Sequence, residues 1–260
     1  MTRFLSKRTA QVVVILLSAF AVKVYYSTAS VNQLRWILAP TTFLVELVSG
    51  SRFEFESYAG YINSEHNFII TASCAGVNFL ITAFLMLSLG KLWRRRSQDG
   101  SQDPGWRLIP TAALFAYLCT LLANSVRISI ALQLHGKRVA TDWLSPTEQH
   151  RLEGILVYFA FLLALFMVSE NLHSKKALGA ENTSSWWLRY LFPLAIYYAT
   201  TLAIPLVNRA FLAESVASDF WKHLTFVLLA PLPILLGLTA ARLCRAQLSG
   251  RLRARNGVRA

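Results

Sequence analysis

Apolar runs of about twenty residues, separated by short polar and mostly basic stretches, set the pattern of this chain. The clear runs lie at 10–28, 67–90, 108–134, 151–170, 188–207 and 223–243. Each is long enough for a helix crossing the roughly 30 Å hydrocarbon layer of a bilayer. A seventh stretch, "LRWILAPTTFLVELVSG" at 34–50, contains Pro40 and Glu46 and is marginal as a span. The pattern predicts an all-α fold, a polytopic transmembrane helical bundle of about six spans plus a partly membrane-dipping external segment at 30–66. Non-helical backbone at that depth needs protein or water around it. The basic start "MTRFLSKRTA" before the first run has the look of a signal peptide, but no small-x-small cleavage site follows. The first run is therefore read as an uncleaved anchor.

Composition agrees with the pattern. Of 260 residues, 55% are hydrophobic and 15% are charged, whereas soluble domains carry about 25% charge. The net charge of +13 does not point to nucleic acid, because Lys and Arg fall between the apolar runs and form no single stripe. They serve instead to orient the chain. With both termini cytoplasmic and 34–50 not crossing, sixteen basic residues lie inside and seven outside. If 34–50 crossed, "KLWRRR" and the basic tail would face outward, against the bias. The chain reads as one integral membrane domain over 1–260, with cytoplasmic loops at 91–107 and 171–187 and a basic cytoplasmic tail at 244–260. Trp93, Trp106, Trp143, Trp186, Trp187 and Trp221 lie at or beyond span ends, as an aromatic belt does. Lys23 interrupts the first span and is read as snorkelling.

In that topology three reactive side chains from consecutive spans come to one level near the outer face. Arg127, in "LLANSVRISIALQL", is the clearest of them. An arginine within a span costs at least about 2.5–3.5 kcal/mol on insertion scales, so such residues turn toward the bundle interior or a wet cavity. Asn124, at i−3, shares its face. A structural arginine paired to a carboxylate is the alternative. His150, in "WLSPTEQHRLEGILVYF", stands just inside a helix start, with Ser145 as cap, Pro146 at the first position and Glu148 at the third. Glu153, at i+3, is placed to bond one ring nitrogen and fix the tautomer. An interfacial histidine with no role reads equally well by itself.

Cys74, in "TASCAGVNFLITAFLML", opens an apolar run beside Gly76 and Asn78. A buried free cysteine is ordinarily a small apolar filler, which is how Cys119 and Cys244 read. A thiolate in apolar surroundings needs a cation close by, and Arg127 and His150 are the groups that supply one. No CxxC spacing, HExxH, GxSxG or phosphate-binding glycine loop is present, so no metal and no cofactor is expected. His66, with Glu65 and Asn63, reads as a solvated loop, and His135, His173 and His223 as interfacial. "NTS" at 182 lies on the inner side and carries no glycosylation meaning.

The motifs "ASCAGVNF", "NSVRI" and "HRLEGILVYF", in this order on three consecutive spans, resemble the exosortase/archaeosortase family. The form "SCAGVNF" is most similar to the branch called exosortase K. The likeness covers roughly residues 40–170, and the flanking spans fit by hydrophobicity alone. Ala75-Gly76 stands where the common family form has Ser-Gly after the cysteine. The resemblance implies a multi-pass cysteine transpeptidase or protease of the bacterial inner membrane, with its site on the extracytoplasmic side. It implies Cys74 as nucleophile, His150 as proton acceptor and Arg127 as stabiliser of thiolate and oxyanion; Asn78, Asn124 and Glu153, from their places beside these three, are read as supporting residues. The partners it implies are exported proteins ending in a short motif, a transmembrane helix and a basic tail. They also include the lipid bilayer and a glycan, lipid or water acceptor. The residues without the resemblance leave room for a non-catalytic transporter or assembly factor that binds an anion at Arg127. They also leave room for an acyltransferase using His150 without a covalent intermediate.

Overall fold

In a computed structural model the described residues are 2–96, 105–135, 145–174, 186–211, 224–241 and 244. They form an all-α bundle with one small antiparallel sheet at one end. The helices are α1 (Thr2–Thr28), α2 (Arg35–Ser49), α3 (Val77–Arg96), α4 (Leu108–Leu134), α5 (Pro146–Ser174), α6 (Trp186–Phe211) and α7 (Leu224–Ala241). Five segments are helical, long and apolar enough to cross a membrane: Lys7–Thr28, Ala72–Trp93, Leu108–Leu134, Glu148–Glu170 and Leu224–Ala241. The chain is thus of the multi-pass membrane class. Trp143, Trp221, His223, the "NTS" at 182–184 and the tail beyond 244 lie outside the described residues.

The centre of the bundle is α3, which packs against α1, α4, α5 and α6. Side chains of different helices interlock around it. Thr82 on α3 and Thr200 on α6 share a hydrogen bond of 2.9 Å, and Phe159 on α5 meets Tyr197 on α6 edge to face at 5.4 Å. The inner face of α4 is built from small residues one turn apart, Ala112, Ala116 and Thr120, continuing through Ala123 and Asn124, all buried. Apolar lipid tails give helices no hydrophobic reason to associate, so close backbone approach through small residues takes over. The opposite face of α4, with Leu114, Phe115, Leu118 and Leu122, is exposed, as a lipid-facing surface is.

The 30–66 segment is regular where non-helical backbone was expected. Arg35–Ser49 is a regular helix despite Pro40, closed by Gly50 in the left-handed conformation. At 15 residues it is about 22 Å long, too short for a full crossing. It packs on α4, where Tyr117 donates to the carbonyl of Trp36 at 2.7 Å and stacks on its ring. After it comes a three-stranded meander, β1 (Glu54–Glu56), β2 (Gly60–Asn63) and β3 (Phe68–Ile70), that the hydrophobic pattern did not predict. Its strands are too short to show alternation, and β3, "FII", merges with the apolar run that follows.

The expected span 67–90 therefore begins later as a helix. Residues Phe68–Ile70 are strand, Ala72–Ala75 form a single 3-10 turn, and α3 starts at Val77. The break is Gly76, which takes φ 70° and ends the turn. A side chain is strained in that left-handed region, and glycine is not.

Candidate active site

Cys74 sits in the 3-10 turn between β3 and α3, partly buried. Its amide donates back to the Thr71 carbonyl at 2.9 Å, and the Thr71 hydroxyl approaches its sulfur at 4.0 Å. A buried asparagine on α4 holds the turn from below: Asn124 Nδ2 donates to the Cys74 carbonyl at 2.6 Å. The glycine two residues on, Gly76, leaves room for this contact. A Cβ on Gly76 would stand 3.1 Å from Asn124 Cγ and 3.3 Å from the Tyr158 hydroxyl.

Arg127 lies one turn along α4 from Asn124, as their spacing predicts. One guanidinium nitrogen, Nη1, donates to the Tyr158 hydroxyl at 3.0 Å and to Asn124 Oδ1 at 3.4 Å. The other, Nη2, meets His150 Nε2 at 3.3 Å. Arginine has no acceptor atom, so the imidazole lone pair faces it and the ring proton is on Nδ1. Tyr158 completes the group by donating to Asn124 Oδ1 at 2.8 Å, while its ring stacks on Phe79 of α3 at 5.0 Å. Asn124 Oδ1 accepts two bonds and Nδ2 donates one. A fully buried amide thereby has its polar atoms paired, as burial demands.

The helix start that carries His150 is built as the sequence predicts. Ser145 N and Oγ both donate to Glu148 Oε2, at 2.8 and 2.9 Å, and Glu148 N donates to Ser145 Oγ at 3.3 Å. His150 is partly exposed, and its Nδ1 is 4.0 Å from Glu153 Oε2. That distance is too long for the hydrogen bond expected from their spacing. Gly154 lets Arg127 pass: a Cβ there would stand 3.2 Å from Nε.

Arg127, His150 and Asn124 are thus in direct contact, and Cys74 joins them through its carbonyl. Its thiol is within electrostatic range of the Arg127 guanidinium. Asn78 is placed elsewhere: it is exposed, and Lys23 of α1 donates to its Oδ1 at 2.9 Å. Lys23 therefore turns toward α3. Tyr26, one turn further along α1, points its hydroxyl at the Ala72 carbonyl at 3.4 Å. Tyr26 too is within electrostatic range of Cys74 and Arg127.

Tyr158 was missed by the sequence reading, although His150, Gly154 and Tyr158 recur every four residues and so mark one stripe of α5. Cys119 is partly buried on α4 and packs against apolar residues. His66 is bound within its own hairpin, where its amide and Nδ1 lie 2.7 and 2.9 Å from Asn63 Oδ1. His135 meets the ring of Phe68 edge to face at 5.5 Å. No group of three or more metal-ligating side chains occurs among the described residues. A separate open cavity of about 610 Å³ lies between α2 and β1, lined by Phe43, Glu46, Leu47 and residues 50–54. It contains none of the clustered groups.

Chemically, the cluster offers a thiol at a rigid turn, a fixed cation in an apolar surrounding, and an imidazole that water reaches. Compared with protein-family models, with curated proteins and with solved structures, the chain gives no match.

Proposed function

We propose that the chain is a membrane-embedded cysteine transpeptidase or protease of the exosortase type. It cleaves C-terminal sorting signals from exported proteins on the outer side of a bacterial inner membrane. The observation that carries this reading is the inward-facing Arg127, which bonds Asn124, Tyr158 and His150 directly behind the turn that presents Cys74. In this reading six spans, the five long apolar helices together with α6, place both termini in the cytoplasm, and α2 and the sheet lie outside.

The reaction runs in two displacements. His150 exchanges its contact with Arg127 for the thiol and takes the proton of Cys74. The thiolate attacks the substrate carbonyl carbon and forms a C–S bond. Arg127 stabilises the resulting oxyanion, since a fixed charge acts strongly where water is excluded. Collapse of the intermediate breaks the C–N bond, and the imidazolium returns its proton to the leaving amine. The membrane helix and basic tail of the substrate depart. An amine, hydroxyl or water then gives its proton to His150 and attacks the thioester, which breaks the C–S bond and restores the thiol. A membrane-level site suits a scissile bond that lies next to a membrane helix.

The test is C-terminal proteomics on the envelope of cells carrying wild type or Cys74→Ala. The expected result is that proteins ending in a motif, a membrane helix and a basic tail keep that segment only in the Cys74→Ala strain. Equal processing in both strains rules the nucleophile out.

A further inference from the structure

The small sheet is placed where a substrate chain has to arrive. Strand β3 stays extended through Thr71, whose φ and ψ are −94° and 177°. The backbone then folds back, so that Cys74 N bonds the Thr71 carbonyl and the sulfur lies 4.0 Å from the Thr71 hydroxyl. The thiol therefore stands at the end of a β-strand.

The two edges of the sheet differ. On the β1 edge stand Glu54 and Glu56, both exposed, and such charges are how native sheets block further pairing. The β3 edge reads Phe68-Ile69-Ile70, with no charge and no proline, and Ile69 is 45% exposed. Among the described residues β3 pairs with β2 alone.

The sheet behind that edge is cross-braced. Asn63 Nδ2 donates to the Arg52 carbonyl at 2.8 Å, and Asn63 Oδ1 accepts from the His66 amide. Gly60 lies so close to β3 that a Cβ there would collide with the Ile70 carbonyl. A preformed edge loses little ordering entropy when it binds an extended chain.

From these relations we infer that β3 is the docking edge for the substrate polypeptide. An extended segment of about three or four residues preceding the scissile bond adds to it as a fourth strand, about 4.8 Å away. This rests on the transpeptidase reading. Chain direction follows from the same reading: β3 runs from the hairpin into the turn that opens α3, and the substrate runs from its exported part into its own membrane helix. The added strand is parallel to β3, and its last residues bring the carbonyl over Cys74. Main-chain bonds supply the affinity and leave the side chains to set specificity.

A backbone scan of the substrate tests this. The peptide spans the junction of a protein that stays uncut in the Cys74→Ala strain, with one N-methyl group placed in turn at each of the docked positions, about four, before the cleaved bond. It is assayed against the full wild-type chain in lipid nanodiscs. Within a strand, alternate residues direct their N–H toward the neighbour. The expected result is a loss in kcat/KM of about tenfold at every second position and less than about twofold between them. A flat profile, or one with a period of three to four, overturns the edge while leaving the cysteine chemistry standing. Ready disulfide formation between copies of Ile69→Cys would assign the edge to a second chain and overturns it as well. If no envelope protein accumulates uncut in the Cys74→Ala strain, the transpeptidase reading and this inference fall together.

Discussion

Asn124, fully buried on α4, donates from Nδ2 to the main-chain carbonyl of Cys74 at 2.6 Å. Through this one bond a residue deep in a helix fixes the turn that presents the thiol. On its other side the same amide accepts from Tyr158 and Arg127. Asn124→Ala leaves the Cys74 carbonyl and the Tyr158 hydroxyl without this partner, at a cost of about 1–3 kcal/mol. Asn124→Asp restores an acceptor for Arg127 and Tyr158 and gives the Cys74 carbonyl no donor. The expected outcome separates fold from function: thermal unfolding recovers toward wild type in Asn124→Asp, and signal processing does not.

The site residues that were legible in the sequence are those that violate their surroundings. Arg127 and Asn124 stand out because a polar group in an apolar run needs a partner. The position of His150 followed from the Ser145–Glu148 box, which the structure reproduces. Tyr158 was hidden because an aromatic residue in an apolar run reads as packing. Asn78 looked close to the thiol because it follows Cys74 by four residues, one helical turn. However, the 3-10 turn and the positive φ of Gly76 interrupt the helix between them, and Asn78 binds Lys23 of α1. Five of the six expected spans were legible from length and apolar content, whereas strands of three or four residues beside a long apolar run left no period to read.

Gly76 joins two requirements at one residue. Its φ of 70° places it in the left-handed region, and the space where a side chain would begin is occupied by Asn124 and Tyr158. Gly76→Ala should cost about 1–2 kcal/mol from the backbone term. It should also push the turn away from α4. The check is the alkylation rate of Cys74 by iodoacetamide in a Cys119→Ala, Cys244→Ser background, together with thermal unfolding. A changed rate with a modest loss of stability is expected, and an unchanged rate would mean that the turn holds its shape without the glycine.

Arg127 spends its planar fork on three neutral partners: Nη1 on Tyr158 and Asn124, Nη2 on His150. A lysine keeps the charge but offers a single ammonium on a flexible stem and lacks the planar fork. If Arg127 were only a point charge for an anion, Arg127→Lys would be largely tolerated, as the transporter reading requires. If it orients the imidazole while facing a developing oxyanion, the lysine protein inserts normally and yet loses at least about tenfold in processing. A pulse–chase of an envelope substrate alongside a membrane-insertion assay decides between them. Near-normal processing in Arg127→Lys would remove the geometric basis of the transpeptidase reading, because that basis is the direct contact with His150 and not the charge.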